Sequence, residues 1–391
     1  MTGLADLAGV GRDPRRGGYS RHGFDRAELE LRSWFTEQAT RRGLDVETDR
    51  NGNLWAWWGT PGPGAIVTGS HLDSVPGGGA FDGPLGVVSA FEAVDALRAK
   101  GFTPSRPVAV VAFAEEEGGR FGVACLGSRL LTGSIPAQRA LNLLDPAGIS
   151  LAEAVAAAGL APERFGRDDA ALGRIGTFVE LHIEQGRGLT GPVGVAGSIL
   201  AHGRWRFTFA GEGNHAGATP IADRRDPMLP ASRLVLAARA AAVDGARATV
   251  GRLVPNPGGT NVIASTVEVW LDARAEDDVR TRAMVEQISA AARTAAADEG
   301  CEVRVVEESF GDTVVFDPAL RDELAMALGG VPALPTGAGH DAGILAAHVP
   351  TAMLFVRNPT GVSHAPAEHA EPDDCAAGVV ALATVLERLA R

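Results

Sequence analysis

The sequence predicts an α/β protein in two parts, a mixed sheet flanked by helices and an inserted α+β block, and three observations carry that expectation. Short apolar strands at 65–68, 108–114, 177–181 and 351–356 are separated by stretches with helical periodicity. Between about 200 and 308 the order changes to strand, helix, two strands, helix, strand, which is the split βαβ order of a ferredoxin-like unit. The 391-residue length exceeds one ordinary core, at roughly 150 residues per domain. The expected division is therefore residues 1–199 with 309–391 for the larger domain and 200–308 for the insertion.

Each element has a local signal. Asp25 with Glu28 three residues on is a helix start, and Leu31, Trp34, Phe35 and Gln38 follow at helical spacing until Gly43. Asp49-Arg50-Asn51-Gly52-Asn53 reads as a hairpin turn joining strands at 44–48 and 54–58. Val87, Ala90, Val94 and Leu97 line one face of a helix at 86–99. Residues 145–174 are Ala-rich and predict a helical hairpin at the periphery. Within the insertion, 204–210, 248–253, 261–274 and 302–307 read as strands, and 227–243 and 277–299 as helices. Helices at 317–328 and 373–389 flank the last strand, and hinges are expected at the two crossings, 198–200 and 308–311.

Composition removes several function classes. A formal charge of −12 argues against nucleic acid or an anionic membrane as partner, since both require clustered cations. Three scattered cysteines, Cys125, Cys301 and Cys375, make neither a disulfide framework nor a CxxC knuckle, and a reducing interior fits. With no stretch near the roughly 20 apolar residues of a membrane span, and no basic-then-apolar start, a cytoplasmic location is expected. The lone lysine, Lys100, follows no glycine-rich phosphate loop, which excludes Walker-type nucleotide binding and makes a Schiff base a poor candidate. There is no GxSxG elbow either.

What remains is a set of donors at strand ends. His71 ends the strand at 65–68, Glu115-Glu116-Glu117 follow 108–114, His182 follows 177–181, and a Pro/Gly loop after 351–356 leads to His364. Asp82 comes from a loop in the turn-permissive Phe81-Asp82-Gly83. In α/β sheets chemistry collects at the carboxyl ends of strands, and His, Asp and Glu are the donors that divalent ions take. Two ions about 3.5–4 Å apart lower the pKa of a shared water toward about 7 and polarise a carbonyl. Asp82 between two ions would bridge them; the bland alternative is a polar turn that it caps. Glu115 to Glu117 would ordinarily be a solvated charge run, but they stand directly after a buried strand. Alternation in an extended chain then turns one glutamate to a metal and its neighbour to the reacting water, which makes Glu117 a ligand and Glu116 the general base. Asp73, two residues after His71, is placed to orient its imidazole.

His71-Leu72-Asp73-Ser74-Val75, Phe81-Asp82-Gly83, Glu116-Glu117-Gly118-Gly119-Arg120-Phe121, Leu181-His182-Ile183-Glu184-Gln185-Gly186, His215-Ala216-Gly217, Gly339-His340-Asp341-Ala342 and Ser363-His364 resemble the N-carbamoyl-L-amino-acid and allantoate amidohydrolases. These are dinuclear metallohydrolases with an aminopeptidase-like catalytic domain and an inserted lid and dimerisation domain. The resemblance implies His71, Asp82 and His182 on one ion and Asp82, Glu117 and His364 on the other, with Glu116 as catalytic acid/base. It further implies His215 at the oxyanion, Gln185 facing the substrate, Asn261 and Arg274 on the substrate carboxylate, and a homodimer made through the lid. For Arg274 the bland alternative is a surface pair with Asp272; for His215, a satisfied loop histidine. His202, His340 and Asp341 are candidates to line the pocket, whereas His22, His348 and His369 read as structural. The sequence departs from the family at Ala218 and in the extra Gly258-Gly259, both in the insertion. The implied substrate is a small ureido acid. Allantoate stands ahead of N-carbamoyl-L-amino acids because Gly203-Arg204-Trp205-Arg206 and Phe355-Val356-Arg357-Asn358-Pro359 resemble the allantoate type, and a dipeptidase or aminoacylase is the remoter alternative. Mn or Zn, and after them Co or Ni, suit the donors.

Overall fold

The computed structural model describes residues 1–391. It divides into Met1–Ser198 with Val315–Arg391, and Ile199–Val314. The second crossing falls later than 308–311 because the last strand of the insertion runs Glu302–Gly311 instead of stopping at residue 307.

The larger unit is built on a nine-stranded sheet in the order Asp45–Thr48, Leu54–Trp58, Val108–Phe113, Ala65–His71, Ile175–Ile183, Thr351–Val356, Val193–Ile199 and Val314–Val315, with Ala333–Thr336 paired to Val193–Ile199. The four central strands, from Val108–Phe113 to Thr351–Val356, are mutually parallel. They are buried almost throughout, as the unbroken Val/Ile/Ala runs demand of strands covered on both faces. Parallel alignment brings their four carboxyl ends to one edge, so His71, residues 115–117, His182 and the loop to His364 leave the sheet together. Gly69 makes the pairing possible: its φ is +151°, and a Cβ there would lie 1.8 Å from the Val111 carbonyl oxygen.

Helices close one face in a single core. Pro84–Ala99 buries Leu85, Val87, Val88, Ala90, Phe91, Val94 and Leu97, and joins Leu31 and Phe35 of Arg26–Arg41 and Leu382, Val385 and Leu386 of Pro372–Leu389 in one core. Asp25 caps Arg26–Arg41 by accepting from the Glu28 N–H, as its sequence signal indicates. The stretch 145–174 is not a helical hairpin. It forms three short helices, Leu151–Ala157, Pro162–Arg164 and Asp169–Leu172, interrupted at Gly159 and Gly166, both at positive φ, and at Pro162.

The second unit is an antiparallel sheet in the order Glu302–Gly311, Ala201–Ala210, Thr266–Ala275, Arg247–Asn256. Phe207, Phe209, Val267, Val269 and Leu271 share a core with Leu234, Ala238, Ile288 and Ala292 of helices Met228–Ala241 and Asp278–Asp298. The expected strand at 261–274 is two strands, because the chain changes partner: Val262–Ile263 pairs with Asn214–His215, and Thr266–Ala275 enters the main sheet. No helix is long and apolar enough to cross a membrane.

Candidate active site

Asp82 occupies the middle of the donor cluster. Its loop turns at Gly83, with φ +82°, where a Cβ would come within 2.5 Å of the His71 ring; glycine alone supplies both the turn and the space. The N–H groups of Phe81 and Asp82 both donate to Glu368 Oε1 at 2.9 Å, which fixes the carboxylate from behind. Asp82 Oδ1 then faces His71 Nε2 at 3.4 Å and His182 Nε2 at 3.2 Å, while Oδ2 faces His364 Nε2 at 3.4 Å. Glu117 Oε2 lies 3.3 Å from the same His364 nitrogen. The expected donors thus fall into two sets, His71/Asp82/His182 and Asp82/Glu117/His364, each tight enough for one ion and joined by the two oxygens of Asp82.

The donor chemistry fits cations. His71 Nδ1 donates to the Asp73 carbonyl at 3.1 Å and His182 Nδ1 to the Ile183 carbonyl at 2.8 Å. A neutral ring then carries its lone pair on Nε2, and both Nε2 atoms are buried without a hydrogen-bond partner. A lone pair turned on a carboxylate oxygen is repulsive unless a proton or a metal ion lies between them. The same imbalance moves the ionisation equilibria. Burial works against a charged His71, yet Glu116, Asp73 and Asp82 raise its pKa well above the ordinary value. Burial pushes Glu116 and Glu117 well up, and neighbouring carboxylates push further. Against its own burial, Asp82 is held well below the carboxylate range, first by His182. So many buried carboxyl groups gathered around three imidazoles make a donor set that divalent cations would suit.

Residues 115–117 do not form the extended chain expected of them. The strand ends at Phe113, and Glu115 turns into the left-handed region with φ +52°, so a bend and not strand alternation separates Glu116 from Glu117. Asp73 holds this bend: Oδ1 accepts from the Glu116 N–H at 3.1 Å and Oδ2 from the Glu117 N–H at 3.0 Å. Its carboxylate lies 3.5 Å from His71 Nδ1, farther than its carbonyl, so Asp73 orients His71 chiefly through the backbone. Glu116 Oε2 is 3.6 Å from His71 Nε2, and Oε1 accepts from Cys125 Sγ at 3.4 Å. His364, 47% exposed in its side chain, is the one donor at the solvent edge.

Other expected site residues lie in various surroundings. Gln185 Nε2 donates to Asp82 Oδ2 at 2.6 Å, so it steadies the shared carboxylate instead of facing outward. His340 is buried 4.5 Å from the His182 ring, with neither nitrogen hydrogen-bonded, and burial followed by His182 holds it neutral. Asp341 is buried beneath, bonded to Ser128 Oγ at 2.5 Å. Sequence pattern does not single out Glu180 or Glu368: Glu180 accepts from Ser70 Oγ at 2.8 Å and from the Ala342 N–H at 3.0 Å, and burial raises Glu368 to about 7. The only sequence cue for Glu180 is its place two residues before His182 on a strand. Of the histidines read as structural, His369 pairs with Glu371 at 3.4 Å and its ring meets Phe81 edge-on, beside Asp82.

His215, Asn261, Arg274 and His202 belong to the second unit. His215 Nδ1 accepts from the N–H groups of Gly217 at 3.0 Å and Ala218 at 3.1 Å. The proton of the neutral ring is therefore on Nε2, which becomes an outward donor. Val262 pairs with His215, and the Asn261 carbonyl, in the turn just before that strand, accepts from the Ala216 N–H at 2.9 Å, so the backbones of His215 and Asn261 are held close together. Arg274 forms a two-pronged pair with Asp272, at 2.8 and 3.0 Å, so any other carboxylate would compete with Asp272 for it. His202 Nδ1 donates to the Leu200 carbonyl at 3.3 Å.

Comparison with known proteins bears on this site. Residues 67–388 match the model of peptidase family M20/M25/M40. The chain is 39% identical to the N-carbamoyl-L-amino acid amidohydrolase of Geobacillus stearothermophilus, over 99% of this chain and 97% of that one. It is 34% identical to the allantoate amidohydrolase of Escherichia coli K12, over 98% and 96%. A hydantoinase/carbamoylase family amidase from Burkholderia multivorans superimposes with a TM-score of 0.88 at 32% identity, covering 100% of this chain and 96% of that one.

Proposed function

Since the chain belongs to peptidase family M20/M25/M40, and its relatives there are hydrolases of non-peptide C–N bonds, we propose that it cleaves the carbamoyl amide of a small ureido acid, releasing ammonia and carbon dioxide. The observation that supports this most is the arrangement around Asp82: one carboxylate between two donor sets, with Glu116 beside them. His71, Asp82 and His182 would hold one divalent ion and Asp82, Glu117 and His364 the other. When bound, the pair would polarise the ureido carbonyl and lower the pKa of a water in its reach. Manganese or zinc is the proposed pair, with cobalt or nickel as substitutes.

The chain's own groups do the rest. Glu116, buried beside His71, takes the proton of the attacking water on the carboxylate oxygen that Cys125 does not hold and returns it to the leaving nitrogen. Asp73 keeps its backbone from swinging, and Cys125 steadies Oε1. His215, with its proton fixed on Nε2, is assigned to the developing oxyanion, and Asn261 and Arg274 to the substrate carboxylate. The second unit is further proposed as the dimerisation domain and lid.

Between the two ureido acids, the order taken from sequence phrases weakens. Arg357 pairs with Asp374 at 2.8 Å, Asn358 Oδ1 caps the N–H groups of Thr360 and Gly361, and Trp205 is buried in the insertion's core. These residues hold the fold and say nothing of substrate. Identity to the Geobacillus stearothermophilus N-carbamoyl-L-amino acid enzyme is also higher than to the Escherichia coli allantoate enzyme, and on that relative we place this substrate class ahead of allantoate. Ammonia release from N-carbamoyl-L-methionine and allantoate, measured side by side, is the test. A larger kcat/KM for the carbamoyl amino acid is expected; a larger value for allantoate restores the first order, and turnover of neither overturns the proposal.

A further inference from the structure

The run of three glutamates supplies the base and one metal donor of the proposed reaction, and leaves Glu115 without a task. We infer that Glu115 is a positioning residue: by tying the bend that carries Glu116 and Glu117 to the segment Tyr19 to Gly23, it sets the directions of both carboxyl groups. This rests on the roles assigned above to Glu116 and Glu117.

Glu115 is 1% exposed, so it is no solvated member of a charge run. Three backbone N–H groups hold its carboxylate: Gly23 donates to Oε2, and Arg120 and Phe121 to Oε1, each at 2.9 Å. These bonds offset the cost of burying the group and of its left-handed backbone. Gly23 is itself fixed. Arg120 Nη1 donates to its carbonyl at 2.9 Å, and a Cβ on residue 23 would fall 2.2 Å from Glu115 Oε2. Just before it, the chain is bonded to the loop that follows His71: Ser74 N–H donates to the Arg21 carbonyl at 2.9 Å, Arg21 N–H to Ser74 Oγ at 3.0 Å, and Tyr19 and Gly78 exchange N–H bonds at 3.0 and 2.8 Å.

One segment therefore ties the loop after His71 to the bend after Val108–Phe113, and Glu115 is its second attachment. Asp73 fixes the N–H groups of Glu116 and Glu117 from one side, and Glu115 anchors residues 120 and 121 on the far side of the same bend. Without the Glu115 anchor, the strained backbone at residue 115 is free to relax, and the two carboxyl groups that follow turn with it. The three glutamates thus have three tasks: anchor, base and ligand.

Glu115→Gln tests this, because it keeps the size of the side chain but turns an NH2 on one of the three donors. Two readouts are taken, kcat and KM on the best ureido acid, and Mn2+ affinity by competition with a chromogenic chelator. Expected are a kcat about 10- to 100-fold lower at unchanged KM and an affinity about tenfold weaker. Gly23→Ala, which pushes on the same carboxylate, should act alike, and the double variant should be no worse than the worse single, since both work through one contact. Parental kcat and affinity in Glu115→Gln, or full additivity in the double variant, would overturn the inference. If Glu115→Gln does not fold, Arg120→Gln loosens Gly23 from its carbonyl side: a several-fold lower kcat supports the inference, and an unchanged one overturns it. Should the parent turn over no ureido acid while Glu115→Gln still loses Mn2+ affinity, the proposed substrate falls and the positioning role stands.

Discussion

Glu116→Gln is expected to lower kcat by about 10²–10⁴-fold while metal content and KM stay near the parent's, the range that general acid–base catalysis contributes. Glutamine has nearly the shape of glutamate and keeps an oxygen to accept from Cys125 Sγ, so the surroundings have no reason to rearrange. It cannot take a proton from water, and that is the loss to be measured. The backbone of residue 116 stays fixed, since the bond from its N–H to Asp73 does not involve the side chain. Steady-state kinetics with metal analysis on the same sample is the check. A variant with two ions and a kcat within about twofold of the parent would show that the base lies elsewhere.

Asp82→Asn should fail differently. The substitution removes the charge that both donor sets share and sets an amide against either the two Nε2 atoms of His71 and His182 or the single Nε2 of His364. Both sites are expected to lose affinity together, so the dialysed variant carries fewer than one ion per chain. Its turnover falls on the order of 10³-fold or more, the equivalent of several kcal/mol of metal stabilisation of the transition state. Thermal unfolding offers a second readout, because an ion that binds the native state alone raises its stability. Added Mn2+ should raise the Tm of the parent and not that of Asp82→Asn. An Asp82→Asn protein with two tightly held ions would mean that this carboxylate bridges nothing.

Much of this was legible in the sequence, for a physical reason. A parallel strand covered on both faces needs an apolar run, and a polar residue at its end is conspicuous against that run; His71 and His182 stand out this way. Asp82 was visible through Gly83, whose left-handed turn only glycine makes at no cost. The bend at Glu115 was not visible. Nothing in three consecutive glutamates tells a strand from a turn, and the carboxylate that holds residues 116 and 117 comes from Asp73, more than forty positions away. Glu368 is farther still, 286 residues from the Asp82 N–H it accepts, and follows a stretch with no strand of its own. No helical hairpin forms at 145–174, because Gly159, Pro162 and Gly166 interrupt a stretch whose alanine content favours helix. Arg274 shows the remaining ambiguity: an arginine two residues from an aspartate on a strand shares a face with it, and the pair forms.

The anomalous signal of crystals grown with excess Mn2+ tests the metal centre most directly. Two peaks per chain are predicted, one enclosed by His71, Asp82 and His182 and one by Asp82, Glu117 and His364. No peak at either place, or a single one seated instead among Glu180, His182 and His340, would contradict the account.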